Sequence, residues 1–533
     1  MSLQTQPAPG TGSAAVDETM PVRAAALVGV LAVAAALGAG HLVAAFLDPP
    51  SSPYLAVGTS FIDLTPPWLK DFAVQTFGTA DKTVLLVGMG LVLLALGAAM
   101  GRAARRDPRR GVIGVLALGA VGVLAVLTRP DTATIGLLAP LAAMAAGVGV
   151  LRWLHHRARI SWAVPDPRVQ GPDTAAPVSR RTFLGSSAAV AAGAGATAWA
   201  GSAIGGTVDV AASQSAVGSL TPVTPLPAVP AGADFVVDGG LPFTTPNASF
   251  YRIDTALSVP RVSAADWSLR IHGMVDTEIT LNFAQLIARP LIEQRVTLTC
   301  VSYELGSDLV GNASWVGVSL RDLLLEAGVQ PGADQIFSAS VDGFTASTPV
   351  ATVLEPDRGA MLAVNMNGQP LPVEHGFPVR MVVPGLYGFV SATKWITDIE
   401  LTTFAAKQAY WTPRGWSDRG PVKTASKIVK VASAPSGAAF TTTVTGAAWA
   451  THLGVTAVEV RLDDGPWQQA RLAVDGGRDC WRMWRADVTG VTAGSHTVQC
   501  RATGADGVVQ TQARANPAPD GATGWHTARI QVR

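Results

Sequence analysis

The sequence predicts a chain in three parts: N-terminal all-α membrane helices, a central α+β domain and a C-terminal all-β sandwich. Three observations predict it. Uncharged apolar stretches recur only before residue 206, each near the ~20 residues a helix needs to cross the hydrocarbon core. Short β-rich segments interrupted by two helical patterns follow from 233. From about 425 only strands appear, separated by turn signals such as Asp463-Asp464-Gly465 and Asp475-Gly476-Gly477.

Composition sets the outer limits. A chain of 533 residues has room for a membrane part and more than one soluble domain. Its mean hydropathy of +0.31, with 14% charged residues, fits membrane content. A net charge of +1 gives no reason to expect a nucleic-acid partner. The three cysteines, Cys300, Cys480 and Cys500, are too few for a disulfide scaffold or a four-thiolate iron–sulfur cluster.

Residues 1–160 read as a four-span region, with spans at 24–47, 83–100, 111–128 and 133–151. Arg102, Arg105, Arg106, Arg109 and Arg110 separate the second span from the third, and Arg152, Arg157 and Arg159 follow the fourth. The other loops are poor in basic residues and carry Asp48, Asp63, Asp71, Asp81 and Asp131. Basic loops stay in the cytoplasm, so the N-terminus is predicted inside and the fourth span returns the chain there. The Pro-rich segment 48–70 is expected along the outer interface. Only His41 lies well within a span, so a transmembrane haem with two facing histidines is not predicted, and His155 and His156 read as a solvated basic end. This region reads as an anchor or docking platform in contact with membrane lipid.

Residues 161–206 contain Ser179-Arg180-Arg181-Thr182-Phe183-Leu184 ahead of an Ala/Gly run, a pattern that reads as a twin-arginine signal and a fifth span at 184–205. A chance Arg pair before an Ala-rich helix is the plain alternative. The signal reading implies that the remainder folds in the cytoplasm, engages the twin-arginine export machinery and ends outside. Residues 207–232 are rich in Ala, Ser, Val and Pro and read as an extended linker, at ~3.1 Å per residue where polyproline-like.

In the domain at 233–424, a helix is predicted over 283–288, capped from Thr280 and Asn282. A second is predicted over 319–327, opened by Ser319 and closed by Gly328. The domain at 425–533 reads as an immunoglobulin-like sandwich with strands at 441–444, 455–462, 481–488, 496–502, 508–512 and 526–532. Cys480 and Cys500 flank a predicted hairpin. They are either a cross-strand disulfide or two reduced, buried thiols.

Motifs in a fixed order carry the chemistry. They are Thr245-Pro246-Asn247-Ala248-Ser249-Phe250-Tyr251-Arg252, then Thr297-Leu298-Thr299-Cys300-Val301-Ser302, then Gly311-Asn312-Ala313-Ser314-Trp315. Ser340-Val341-Asp342 follows, then His375-Gly376-Phe377-Pro378-Val379-Arg380, then Ser391-Ala392-Thr393-Lys394-Trp395. In this order they resemble the molybdopterin domain of the sulfite oxidase family, which includes bacterial periplasmic methionine sulfoxide reductase catalytic subunits. The resemblance covers about 233–533, where the sandwich corresponds to the family's dimerisation domain and implies a homodimer.

The resemblance implies a molybdopterin-dependent oxidoreductase holding molybdenum, with Cys300 as the metal ligand. A protein thiolate suits a soft, sulfur-rich centre. Without its neighbours Cys300 reads as a small buried hydrophobe. The implied cofactor contacts are Asn247, Phe250, Tyr251, Arg252, Cys300, Asp342, His375, Arg380, Ser391, Ala392, Thr393 and Lys394. Arg380 and Lys394 would meet the pterin phosphate, and the amides of 391–393 would form an anion nest. Tyr303, Glu304, Trp315, Trp411 and Arg414, with Cys300, are the candidates for the substrate cleft. Trp411 and Arg414 read equally well as packing between the soluble domains. Where the family's sulfite oxidases place arginines soon after the ligand cysteine, this chain has Glu304 and Leu305, which argues against sulfite. The expected function is two-electron oxygen-atom transfer on a small sulfur- or nitrogen-oxide substrate outside the cell membrane. The expected redox partner is a membrane quinone or a haem protein. The alternative is a non-catalytic surface binding or adhesion protein on a degenerate scaffold of the same kind.

Overall fold

The computed structural model describes residues 20–66, 69, 72–73, 76–77, 80–129, 132, 134–162, 180–204 and 210–533. Pro67, Trp68, Asp71, Asp131, the stretch 163–179 with Ser179, and 205–209 lie outside the described residues. The chain divides into two compact units, Met1–Thr207 and Val208–Arg533.

The first unit is helical: α1 (Val22–Leu47), α2 (Pro53–Leu64), α3 (Asp81–Ala103), α4 (Pro108–Leu127), α5 (Leu138–Trp162) and α6 (Arg180–Ile204). Among the described residues four helices are long and apolar enough to cross a membrane: Val22–Leu47, Asp81–Ala103, Pro108–Leu127 and Thr134–Trp162. Of the expected fifth span, 184–204 is helical within α6 but falls outside those four, and residue 205 lies outside the described residues. Part of the Pro-rich segment expected at the interface is helix α2, whose Tyr54 hydroxyl donates to Leu86 O on α3.

Small residues let the helices touch. A Cβ on Gly29 of α1 would lie 1.9 Å from Gly97 O, and one on Gly101 of α3 would lie 2.0 Å from Ala25 O. Only glycine permits that backbone approach. His41 holds the Ser52 hydroxyl at 3.1 Å and the Ser202 hydroxyl at 3.2 Å, clamping α1 to α6. His155 corrects the sequence reading: it is 3% exposed and its Nε2 meets Ala104 O at 2.9 Å, at the C-terminal end of α3 where helix carbonyls lack intrahelical donors.

The second unit opens with a correction. Residues 210–230 are docked, not a free linker. Helix α7 (Val210–Val217) sends Gln214 Nε2 to Leu371 O at 2.6 Å. Val223 N–H then donates to Leu291 O at 2.9 Å, and Leu226 N–H to Glu293 at 2.8 Å.

Two sheets form the central domain, the first mixed and the second antiparallel. The first joins β1 (Ser268–Gly273), β2 (Ile279–Asn282), β5 (Gln335–Ser340), β6 (Thr345–Pro349) and β10 (Ile396–Thr402) in the order β2-β1-β10-β5-β6, with β1 parallel to β10. The second joins β3 (Leu291–Thr299), β4 (Val310–Ser319), β7 (Met361–Met366) and β8 (Gln369–Pro370), and β9 (Arg380–Val382) pairs with β7. Alternating Leu269 and Ile271 from one sheet share a core with Val296, Leu298, Leu362 and Val364 from the other. Helix α8 (Phe283–Ile287) opens with a reciprocal Asn282–Gln285 capping box. In α9 (Leu320–Ala327) the Ser319 hydroxyl takes the Asp322 N–H, and Gly328 at φ +70° ends the helix.

The C-terminal region is sheet-rich. One sheet joins β11 (Ala425–Ser436), β12 (Ala439–Trp449), β15 (Arg471–Leu472) and β16 (Arg482–Val491) in the order β11-β12-β16-β15. The other joins β13 (Val455–Leu462), β14 (Gln468–Gln469), β17 (Gly494–Gly504) and β18 (His526–Val532) in the order β14-β13-β17-β18. Val444 and Trp484 from the first meet Val458, Val498 and Cys500 from the second in one core. Two expectations fail here. The stretch 508–512 makes only a bridge between Val509 and Thr503. The expected 481–502 hairpin is absent, because β16 and β17 cross from one sheet to the other. That crossing separates Cys480 from Cys500, and all three cysteines are free and buried.

Candidate active site

The site forms where loops leave the two sheets of the central domain. Strand β3 pairs with β4 through Thr299 and stops, and Cys300 begins the turn. Its N–H donates to Leu309 O and its carbonyl accepts from Tyr303 N–H, both at 3.0 Å. The thiol is 7% exposed and lines a pocket with Tyr251, Asp342, His375, Arg380, Lys394 and Trp411. Burial raises its pKa, and hydrogen bonding with Ser302 partly offsets this. A coordinated metal would deprotonate such a thiol.

Arg380 sits at the start of β9, 5% exposed, with its guanidinium carbon 4.9 Å from the centre of the Trp315 ring. It donates to His375 O at 3.2 Å and reaches Met381 O and Ala392 O only at 3.5 Å. Among the described residues it takes part in no ion pair, and burial pulls its pKa down to about 10. A buried cation of this kind calls for an anion from outside the chain.

Lys394 is paired already: Nζ donates to Asp254 at 2.7 Å and to Glu374 O at 3.0 Å. Burial lowers its pKa to about 8 against the pull of Asp254. His375 donates through Nε2 to Asn247 O at 3.1 Å, which leaves Nδ1 as an acceptor. Burial, then the charge of Arg380, pushes its pKa down to about 4, so the ring is neutral near pH 7. Phe250 stacks on Tyr251 with centroids 5.3 Å apart and meets Trp315 and His375 edge-on at 5.9 and 5.5 Å.

The pocket therefore gathers Cys300, Phe250, Tyr251, Asp342, His375, Arg380, Ala392, Lys394 and Trp411 of the residues named from sequence. The others lie elsewhere. Asn247 turns to the β7–β8 hairpin, meeting Asn367 at 2.8 Å and Met366 O at 3.3 Å. Arg252 faces Asp254 at 2.8 Å. The Ser391 hydroxyl turns back to Tyr387 O at 2.9 Å, and Thr393 pairs with Ser338 at 2.7 Å, both fully buried. Within the proposed anion nest, Ala392 N–H is already given to Gly388 O. Tyr303 packs edge-on against Trp449 at 5.0 Å because the turn after Cys300 leads toward the C-terminal sheets. Glu304 is exposed. Trp315 is fully buried beneath Arg380, and Arg414 lies 3.7 Å over the Tyr410 ring.

Sequence reasoning missed Asp254, Phe344, Phe389 and Trp395, all lining the pocket. Asp254 had a signal, lying just beyond Tyr251 in the first motif's loop. Trp395 had one too, as the last residue of the motif that begins at Ser391, whereas Phe344 and Phe389 had none, since they come from loops without periodicity.

A soft thiol, an unneutralised buried guanidinium and stacked ring faces fit an anionic, sulfur-bearing, planar cofactor. Fold and site together define a cofactor-dependent redox enzyme. The family described as oxidoreductase molybdopterin binding domain matches residues 256–411. The uncharacterized oxidoreductase YuiH of Bacillus subtilis is 34% identical over 154 residues, 29% of this chain and 74% of that protein. Chicken sulfite oxidase is 29% identical over 313 residues, 49% of this chain and 66% of the enzyme. Nitrate reductase [NADH] 1 of rice is 30% identical over 194 residues, 32% of this chain and 21% of that protein. Among solved structures, the sulfane dehydrogenase SoxCD of Paracoccus pantotrophus aligns with a TM-score of 0.46 at 21% identity, covering 60% of this chain and 89% of that one. The chain belongs to the sulfite oxidase family of molybdopterin-dependent oxidoreductases, and the cofactor this implies is molybdopterin with molybdenum. It spans about half of the length of the mammalian and fly sulfite oxidases it matches.

Proposed function

We propose that the chain is a membrane-anchored enzyme whose catalytic domain works on the extracytoplasmic side, performing two-electron oxygen-atom transfer on a small sulfur- or nitrogen-oxide substrate. One observation carries the reading: the Cys300 thiol and the unneutralised Arg380 guanidinium line the same pocket. Cys300 would hold the metal. Arg380 would face the cofactor's phosphate, with Lys394 as a second cation once Asp254 shares it. Tyr251 and Phe250 would offer ring faces to the pterin, and neutral His375 would accept a hydrogen bond at Nδ1. The bound group supplies the electron-pair chemistry; the protein supplies orientation, charge and a partly dry pocket.

Sulfite is disfavoured as a substrate, because Glu304 and Leu305 stand where the family's sulfite oxidases place arginines. Four apolar helices support the anchor, and Arg180-Arg181 at the start of α6 supports a twin-arginine route. The division at 160, 206, 232 and 424, an immunoglobulin-like class for the last domain and a homodimer through it belong to the same proposal. So does a membrane quinone or haem protein as redox partner.

The test is metal analysis of the full chain purified in detergent, followed by assay against sulfoxides, amine oxides and nitrate with a reduced viologen dye as electron donor, and against sulfite with ferricyanide as electron acceptor. Near-stoichiometric molybdenum and turnover of neutral oxides are expected; a chain lacking molybdenum overturns the proposal. For sidedness, Arg180→Lys with Arg181→Lys should strand the catalytic unit inside. Its continued digestion by external protease would contradict the export route.

A further inference from the structure

We propose that Lys427 is a positioning residue for Cys300: from the C-terminal sheets it clasps the turn that begins at the thiol and fixes where the sulfur stands in the pocket. The proposal rests on the reading of Cys300 as the metal ligand and adds the group that sets its place.

Cys300 leaves the regular pairing of β3 with β4 at the point where its chemistry is needed. The bond from its N–H to Leu309 O closes the neck of the turn 300–309. Within the turn the bonds are local. Tyr303 N–H reaches Cys300 O at 3.0 Å, Ser307 N–H reaches Glu304 O at 2.9 Å, and Gly306 N–H reaches the Tyr303 hydroxyl at 3.0 Å. Local bonds preserve the shape of a turn and leave its direction to whatever grips it from outside.

The grip comes from the C-terminal sheets. Lys427 on β11 is 3% exposed, and its Nζ donates to Ser307 O at 2.8 Å and to Asp308 at 2.9 Å. His526, at the start of β18, lies against Gly306, whose φ is +90° and where any Cβ would strike the imidazole Nε2. That ring is fixed in turn, because its Nδ1 accepts the Ile428 N–H at 2.9 Å, next to Lys427. Burial, then the charge of Lys427, lowers the pKa of His526, so the ring stays neutral beside the ammonium.

Stability does not account for this lysine. The Asp308 side chain is 99% exposed, so the ion pair itself contributes little. Burying an ammonium is costly, and an apolar side chain of similar volume often makes such a site more stable. An apolar side chain, however, cannot hold the Ser307 carbonyl. A metal-binding side chain on a loop keeps its direction only with such support behind it.

The test uses the full chain in detergent, first free of cofactor. Lys427→Met should leave Tm unchanged or raised and speed iodoacetamide alkylation of Cys300 about tenfold, read peptide by peptide. Cys480 and Cys500, also free and buried, should react at their wild-type rates. Lys427→Arg, which keeps a donor for the carbonyl, should return Cys300 to within about twofold of the wild type. Loaded with molybdenum, Lys427→Met should give a Mo(V) paramagnetic resonance signal different from the one shared by the wild type and Lys427→Arg. In the wild type, the Tyr303, Gly306 and Ser307 amides should exchange with deuterium as slowly as those of β11. Exchange there at free-loop rates, or Cys300 alkylation unchanged in Lys427→Met, overturns the proposal. So does alkylation rising at all three cysteines with a fall in Tm, which marks a merely structural lysine. A freed Cys300 with an unaltered Mo(V) signal overturns it too, since the clasp then leaves the metal ligand where it was. A chain that holds no molybdenum removes the metal reading by itself, and the alkylation rates still decide for or against the clasp.

Discussion

The two units are held together by opposite means. In Met1–Thr207 the closest contacts occur where side chains are missing, as at Gly29, Gly97 and Gly101, and the chain's task is to let backbones meet in an apolar medium. In Val208–Arg533 the pocket exists because side chains from distant loops converge: Tyr251, Cys300, Asp342, His375, Arg380 and Trp411. Substitutions in the first should therefore damage assembly and leave the chemistry alone, while those in the second should do the reverse.

Cys300→Ser is the strongest way to break that contrast. The thiol is small and buried, so the fold should survive with Tm nearly unchanged. Turnover should fall by more than the ~10–100-fold that losing a supporting partner of a metal site costs. Thermal melts and kcat per molybdenum would show it.

Arg380→Met should split stability from cofactor retention. Removing an unneutralised buried cation should stabilise the cofactor-free chain by about 1 kcal/mol or more. Retained molybdenum should drop about tenfold, read by metal analysis after gel filtration. A loss of both would mean that the guanidinium is structural.

Gly101→Leu tests the other side. Overpacking usually costs about 1–3 kcal/mol, and the cost should exceed this here because the side chain would meet the backbone of Ala25. Detergent melts should shift down while kcat per molybdenum stays constant.

Protonation gives a smaller effect. The folded-state pKa of His375 is about 4 against 6.5 for a free imidazole. Below pH 6.5 the unfolded chain takes up a proton that the folded chain refuses until about pH 4. The stability contributed by neutral His375 is thus complete above pH 6.5 and lost as pH falls toward 4. Tm should decline more steeply across that window in the wild type than in His375→Gln. Smallest of all, a reducing agent should leave Tm unchanged, since Cys480 and Cys500 lie on segments that enter different sheets.

The same contrast explains what the sequence disclosed. Hydropathy is a local property, so the first three apolar helices were legible to within a few residues and the fourth at its start, though it runs on past 151 to Trp162, whereas His155 turned inward to cap α3, a pairing that depends on a residue 51 positions away. Motifs on loops revealed Cys300, His375 and Arg380 as pocket residues, and position and residue type pointed to Trp411. They failed for Tyr303 and Ser391, whose direction is set by the turn after β3 and by the short helix 388–391. Composition made 207–232 look like a tether; the Val223 and Leu226 amides instead found acceptors on β3, which no local pattern announces. Phe344 and Phe389 went unseen because they come from separate loops.

The central claim, that this pocket holds molybdenum through Cys300, is tested most directly by X-ray absorption at the molybdenum edge on the full chain and its Cys300→Ser variant. The account predicts a sulfur-rich shell in the wild type and the loss of one sulfur neighbour per molybdenum in the variant. An identical sulfur count in both proteins would contradict it.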